Sequence, residues 1–407
     1  MTQPSSHYDH VLVGGGMTAD AAAKALAEAT PDASVLVVSP DVDPPYTRPA
    51  LSKKLWTDPD YTEADNDLGT VEATGAELRL RTRVESIDRE ARTVALSDGS
   101  TVGYGRLLLA TGGTPSDLGL PQDDRVVAFR TAEDYRRLRA LSGEGRHVAV
   151  VGGSYIGTEL AAALVQQGTR VSLVFPDAVL GGSVFPPELA ASFARRYEEA
   201  GVELVGGHRV AGGTVDDAGV HLALEPAGDG ADAGEETFDV DAVVLGLGIT
   251  PATELAEAAG LTVDDGIVVD ATLRTDDPLV FAAGDVASYP DPILGRRRVE
   301  HVDNAKEQGA TVGRIMAGSD ERHEHTPYYY SKVFDLSYEA VGTLDASLET
   351  VVDRTGDDEA VAYYLDEGTV RGVLLWNVEG ARDAARKVLA EAGALTRDDL
   401  PGRVRAS

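Results

Sequence analysis

The chain has 407 residues and carries 36 Lys plus Arg against 68 Asp plus Glu, a net charge of −32. At roughly 150 residues per domain this length predicts two or three domains, and the acidic balance argues against nucleic acid or an anionic membrane surface as a partner, since both need clustered cations. Cysteine is absent, which excludes disulfides, thiolate metal sites, iron–sulfur clusters and dithiol redox chemistry together, so any redox work requires a bound cofactor.

Taken in chain order, residues 9–40 (DHVLVGGGMTADAAAKALAEATPDASVLVVSP) predict a strand, a glycine turn, an Ala-rich helix and a second parallel strand. Gly14, Gly16 and Ala19 fit G-x-G-x-x-A: small residues for the tight turn, for close approach of backbone to a pyrophosphate, and for helix packing. The helix N-terminus then faces the phosphates. Asp41, displaced one place by Pro40, is the comparable ribose-binding acid. Leu107–Gly113 (LLLATGG) reads as a buried strand ending in a turn at Ala110, Thr111 and Gly112, and Asp117–Val126 is turn-rich.

The strand–turn–helix–strand pattern returns at residues 146–176, with Gly152 placed 138 residues after Gly14. Here Gly152 and Gly157 are kept, but Ser154 holds the middle position, where a side chain crowds a ligand. Two such units in one chain point to two dinucleotides. Glu225–Phe238 is a Gly/Asp-rich loop without assignable chemistry, and Gly248–Pro251 follows the strand AVVLGLG. Val280–Val286 (VFAAGDV) is a strand with Asp285 at its carboxyl end, where ligands of doubly wound sheets bind; the carboxylate suits a sugar-alcohol chain, or caps the next segment. An amphipathic helix over Ala381–Ala392 would cover a cofactor or form a dimer surface.

These features, with PYTRPALSKKLW (Pro45–Trp56), GRRRVEHVDNA (Gly295–Ala305), PYYYSKVFDLSYEAVG (Pro327–Gly342) and VRGVLLWN (Val370–Asn377), resemble the FAD-dependent pyridine nucleotide oxidoreductases. Within them the chain is similar to the branch without a redox disulfide, which includes ferredoxin and rubredoxin reductases, monodehydroascorbate reductase and apoptosis-inducing factor. The resemblance implies an α/β fold of two Rossmann-like, three-layer ββα dinucleotide-binding domains plus a C-terminal α+β domain. The implied boundaries are an FAD domain at 1–120 and 250–325, an NAD(P) domain at 121–249, and a C-terminal domain at 326–407.

The resemblance also implies the site. Lys53 reaches the flavin's reactive nitrogen and pairs with Glu159, a pairing that a buried ammonium requires in any case. Arg48 lies by the flavin and its phosphates, and the backbone of Val84 contacts adenine. Gly284 and Asp285 complete the FAD side. Tyr155 stands on the nicotinamide side with Ser154, Ile156 and Gly157, joined by Gly248, and Glu300 and His301 lie near the nicotinamide. His301 is alternatively a helix cap. Tyr330 and Lys332 occupy positions where many relatives have Trp and Asp, whereas monodehydroascorbate reductases resemble this chain more closely there, with Tyr and a basic residue, which leaves the acceptor open.

The second strand of the second unit ends near Phe175 with only Asp177 beside it and no Arg cluster to welcome a 2′-phosphate, which favours NADH over NADPH. No metal site is expected. The implied activity is hydride transfer from NADH to FAD, then electron transfer to ferredoxin, rubredoxin, a small radical or a quinone; the alternative is a slow NADH-binding redox sensor like apoptosis-inducing factor. An acidic ferredoxin would need a local basic patch such as Arg296–Arg298, or molar salt. No apolar run reaches the roughly 18 residues of a membrane span and no secretory signal opens the sequence, so a cytoplasmic location is expected. Only six of the cations are Lys. Such a surface suits a salt-rich cytosol, where the Debye length falls to about 3 Å at 1 M, and a halophilic source is expected, with an acidic protein of a high-GC bacterium as the alternative.

Overall fold

The computed structural model describes residues 6–228 and 236–405. The chain forms two compact units, each assembled from three separate stretches: residues 1–49, 62–114 and 250–327 in the first, and residues 50–61, 115–249 and 328–407 in the second.

The first unit is built on a parallel sheet in the order Glu77–Arg79, Val35–Val38, Ser6–Val13, Thr101–Leu109, Val280–Ala282. Its strands are covered on both faces, so Val11, Leu12, Leu107, Leu108 and Phe281 are wholly buried and the strand sequences read as continuous apolar runs. The hairpin Val84–Asp88/Thr93–Leu96 pairs antiparallel with the first half of Thr101–Leu109 and supplies a second layer. Helices Met17–Ala29 and Val302–Met316 pack closely because Gly309 and Gly313 present no side chain. A methyl group at either would stand 2.5 Å from the carbonyl oxygen of Thr18 or Ala22.

The second unit repeats the plan, with a parallel sheet in the order Glu203–Gly206, Arg170–Phe175, His147–Val151, Ala242–Leu245, Val126–Ala128. The antiparallel strands His208–Val215, Val220–Pro226 and Glu236–Val240 lie against it, and Leu222 and Leu224 share a core with Val151, Val174 and Val243. The Gly/Asp-rich loop falls between the last two of these strands, and its residues 229–235 lie outside the described residues. A five-stranded antiparallel sheet, led by Tyr328–Val333 and Leu336–Gly342, completes the unit with helix Arg382–Ala390. Arg196, on helix Pro187–Glu199, fastens this sheet: its guanidinium pairs with Asp335 and Asp358 and lies over Trp376 at 5.8 Å. Together these are the α/β layers that the sequence pattern predicts. Among the described residues no helix is long and apolar enough to cross a membrane, and no group of His, Asp or Glu side chains is disposed to hold a metal.

Candidate dinucleotide and redox sites

The turn between Ser6–Val13 and Met17–Ala29 carries the first fingerprint. Gly14 has φ +118°, and a methyl there would stand 2.1 Å from the carbonyl oxygen of Ala110, so the glycine turn and the Ala110–Gly112 turn are pressed together. Gly112 and Thr111 hold that second turn by a backbone bond from Ala252 to Gly112 and a Thr111 hydroxyl bond to the Ala252 carbonyl at 2.8 Å. Gly16 differs: a methyl built on it meets nothing within 4 Å. Gly16 also caps the helix without any side-chain bond to its first amides, and Ala19 is fully buried behind them. Open space over free helical N–H groups is what a pyrophosphate needs, and the residues fit FAD on that ground. At the end of Val35–Val38, Asp41 accepts the Tyr46 hydroxyl at 3.0 Å, and the Arg48 guanidinium lies over the Tyr46 ring at 5.3 Å. Val84 begins its hairpin strand and is buried.

The second turn is the same backbone with different side chains. Gly152 also has φ +118° and its missing methyl would stand 2.4 Å from the Gly246 carbonyl oxygen. Gly157 is required by packing, since a methyl would stand 1.8 Å from the Gly152 carbonyl oxygen. Ser154 does not fill the ligand space with an idle hydroxyl: the group donates to the Gly246 carbonyl at 3.1 Å. Ile156 and Leu247 are exposed apolar side chains beside this turn, and Gly248 follows with open space around its α-carbon. Phe175 occupies the place of a ribose-binding acid and is buried, 2.9 Å from where a Gly153 methyl would be. Asp177 is committed to its own loop, accepting the Ser183 amide at 3.1 Å.

Lys53 and Glu159, 106 residues apart in sequence, meet within the second unit. The stretch 50–61 is anchored there by the Tyr135 hydroxyl on the Leu55 carbonyl (3.0 Å), by the Gln167 amide on the Trp56 carbonyl (2.7 Å), and by Arg139 over the Trp56 ring. Lys53 Nζ stands 2.6 Å from Glu159 Oε1, with 18% of its side chain exposed against 2% for Glu159. The Ser331 hydroxyl donates to Glu159 Oε1 at 2.6 Å and the Ser52 hydroxyl to Oε2 at 2.5 Å. Breaking a pair this buried by removing one partner costs about 3–5 kcal/mol. Tyr330 lies with its ring 5.4 Å from Lys53 Nζ. Tyr155 is stacked between Tyr329 and Tyr338, ring centroids 6.5 and 6.0 Å away, and burial pushes its phenol well above the ordinary range.

The remaining residues divide between the units. Gly284 and Asp285 form a short turn after Val280–Ala282; the Gly284 amide donates to Gln308 Oε1 at 2.8 Å, a contact from helix Val302–Met316 that sequence reading missed. His301 caps that helix, its Nδ1 accepting the Asp303 amide at 3.2 Å, and Glu300 pairs with Arg298. The run Arg296–Arg298, which an acidic acceptor would need as a local basic patch, is tied to its surroundings. Arg296 is exposed and donates to the Val269 and Ser288 carbonyls, and Arg298 pairs with Asp265 and Glu300, so the charge of Arg298 is answered locally while Arg296 stays at the surface. Of the two acids Glu300 lies in the same stretch, and Asp265 comes from elsewhere in the chain, which a local run of Arg does not reveal.

Two glycine cradles of one design and a buried Lys–Glu pair define a class, the oxidoreductases that handle two dinucleotides. A family model described as "Pyridine nucleotide-disulphide oxidoreductase" matches residues 8–309. The chain is 38% identical over 355 residues, 84% of each sequence, to the ferredoxin–NAD(+) reductase component of the anthranilate 1,2-dioxygenase system of Burkholderia cepacia. Among solved structures it matches the ferredoxin reductase for the CYP199A2 system of Rhodopseudomonas palustris (TM-score 0.85, 29% identity, 96% of both chains). It also matches the reductase of a covalent putidaredoxin reductase–putidaredoxin complex (TM-score 0.84, 27% identity, 96% of this chain and 94% of that one). The chain belongs to the pyridine nucleotide-disulphide oxidoreductase family and is an FAD-dependent NAD(P)H oxidoreductase of the ferredoxin reductase type. Having no cysteine, it performs this chemistry without the disulphide of the family's name.

Proposed function

We propose that the protein is an NADH-dependent reductase whose physiological acceptor is a small one-electron carrier of the ferredoxin type. When bound, FAD takes a hydride from the nicotinamide and gives electrons onward one at a time. The chain's own contribution is to hold and tune. The Gly14–Gly16 turn and the free amides of Met17–Ala29 receive the FAD pyrophosphate, Asp285 accepts hydroxyls of the ribityl chain, and Arg48 adds positive charge beside them. The Gly152–Gly157 turn, Ile156 and Gly248 receive the pyridine nucleotide. Phe175 in place of an acid, Asp177 beside it and the lack of an Arg cluster favour NADH.

The observation that carries the redox reading is the Lys53–Glu159 pair. A fixed ammonium in a dry site stabilises the negative charge that reduction brings to a flavin, and the carboxylate keeps that ammonium in place. The ferredoxin-type acceptor is supported by the named roles of the relatives. The test is direct: protein purified as a yellow holoenzyme is mixed with NADH in a stopped-flow instrument, and Lys53→Met retains FAD while bleaching slows at least tenfold. Unchanged bleaching in Lys53→Met overturns the role of Lys53. Colourless protein that cannot be reconstituted overturns the site. Assay with ferredoxins and dyes then decides the acceptor, and slow turnover with all of them would favour the redox-sensor alternative. We also propose a salt-rich cytoplasm as the working environment, on the strength of the −32 charge and six lysines; stability that is flat from low salt to molar KCl overturns it.

A further inference from the structure

Glu159 is held from two distant parts of the chain, the neighbours Ser52 and Lys53 and the much later Ser331. Lys53 and Ser331 share Oε1 at 2.6 Å each, while Ser52 takes Oε2 at 2.5 Å. Ser52 and Ser331 are themselves buried, at 2% and 0% exposure, and Ser331 sits inside the strand Tyr328–Val333. Serine has little reason to be there: it packs poorly on a pleated surface, and a fully buried hydroxyl is costly unless it is bonded. Its bond runs to the carboxylate of a helix and not to neighbouring backbone. Tyr338 reaches the same hydroxyl from the adjacent strand. Tyr330, the residue before Ser331, places its ring over Lys53. One dipeptide of the C-terminal sheet therefore touches both members of the pair.

We propose that Ser331 and Ser52 are positioning residues: their hydroxyls lock the Glu159 carboxylate in a single orientation, so that Lys53 is held on one oxygen and its ammonium keeps a fixed place toward the flavin. This rests on the reading that Lys53 stands at the flavin. With both hydroxyls in place, Ser52 occupies Oε2 and Lys53 stands against Oε1. Without one of them the carboxylate turns and engages the ammonium more fully, which draws the positive charge away from the cofactor. Reduction of the flavin is then less favoured, while binding of the pyridine nucleotide, which these residues do not touch, is unaffected.

The experiment uses the holoenzyme of Ser331→Ala, Ser331→Thr, Ser52→Ala and Lys53→Met, with two readouts. The first is the midpoint potential of the bound flavin by equilibrium dye titration; the second is the limiting rate and half-saturation of flavin reduction by NADH. In Ser331→Ala the oxidised-to-reduced ratio at a given potential shifts about tenfold, which is about 30 mV more negative for a two-electron couple. The limiting rate falls about tenfold with half-saturation unchanged. Ser52→Ala moves both in the same direction, and Ser331→Thr, which keeps the hydroxyl, stays within twofold of the parent. The proposal is overturned if Ser331→Ala and Ser52→Ala leave the potential and rate within twofold, or if Ser331→Thr is as impaired as Ser331→Ala. If Ser331→Ala does not yield folded holoenzyme, Ser52→Ala and Ser331→Thr decide by the same criteria. Lys53→Met separates the two levels: a change there with none in the serine variants removes the clamp alone, and no change there removes the lysine reading beneath it.

Discussion

The two glycine turns have the same backbone and different tasks. Gly14 and Gly152 share φ +118°, and Gly16 and Ser154 start their helices at φ −92°, ψ −173° and φ −88°, ψ −175°. In each unit the first glycine is pressed against the carbonyl oxygen at the end of the central neighbouring strand, Ala110 in one and Gly246 in the other. What differs is the space beyond. Gly16 leaves it empty, whereas Ser154 fills part of it and ties the turn to the next loop. The strand after the helix ends in Ser39 and Asp41 in the first unit and in Phe175 and Asp177 in the second. The comparison teaches that the strained backbone is common to both turns, while the side chains one step outward are where the two differ.

The largest effects come from substitutions that deny the shared backbone. Gly14→Ala places a methyl 2.1 Å from the Ala110 carbonyl oxygen and should abolish FAD retention, read from flavin absorbance of the purified protein. Gly152→Ala, at 2.4 Å from the Gly246 carbonyl oxygen, should leave the protein yellow and raise the half-saturating NADH concentration at least a hundredfold. Loss of FAD from Gly152→Ala would break the division of labour between the turns.

A second contrast is in acid sensitivity. His323, in the first unit, is 3% exposed, and burial pushes its imidazole down to about 4. Below about 6.5 the unfolded chain takes up a proton that folded His323 refuses, so stability is lost as the pH falls from there toward 4, by about 3 kcal/mol in all. His10 is driven down to about 4 by burial and by Arg106 and adds a loss of the same sign. His221, in the second unit, is raised by its bonds to Asp216 and Asp239, so its contribution is full at acid pH and is lost as the pH rises through its folded value. Hydrogen exchange at pH 7 and pH 5 should show protection falling more in the first unit, and His323→Phe should flatten that fall. Equal losses in both units would remove the contrast.

The outward side chains give smaller changes. Gly16→Ser should fold with an unchanged melting temperature, since its methylene meets open space, and weaken FAD binding about tenfold. Ser154→Gly removes the bond to Gly246 and should cost about 1 kcal/mol of stability while tightening NADH binding. The smallest change is expected from Asp177→Asn, which keeps an acceptor for the Ser183 amide and removes charge near the ribose; the ratio of NADPH to NADH efficiency should rise severalfold.

Both turns and the strands that lead into them were legible in sequence because each is a local pattern: a periodic apolar run, a glycine at a fixed step, a turn after a strand; the lysine string stood out only by its resemblance to the family. The partners of those residues were not. Ser331 lies 172 residues from Glu159, and Gln308 lies 24 residues from the Gly284 amide that it accepts, with no periodicity linking either pair. The converse holds at Arg298, which is visible in the sequence as part of an Arg run while the Asp265 that pairs with it is not. Ser331 could have been suspected from one signal, a small polar residue directly after the aromatic run Tyr328 to Tyr330.

The clamp on Glu159 also sets an order of assembly. Its helix, Lys53 and Ser52 emerge from the ribosome well before Ser331, and the second unit draws on stretches from residue 50 to the C-terminal region. The glycine turn of the first unit, closed by Ala110, forms from contacts made early in synthesis, but the Glu159 carboxylate stays short of a donor until the last fifth of the chain is made. Contacts this distant close late, because loop entropy must be overcome before they contribute. A nascent chain can thus form its first glycine turn while the cluster around Glu159 is still incomplete.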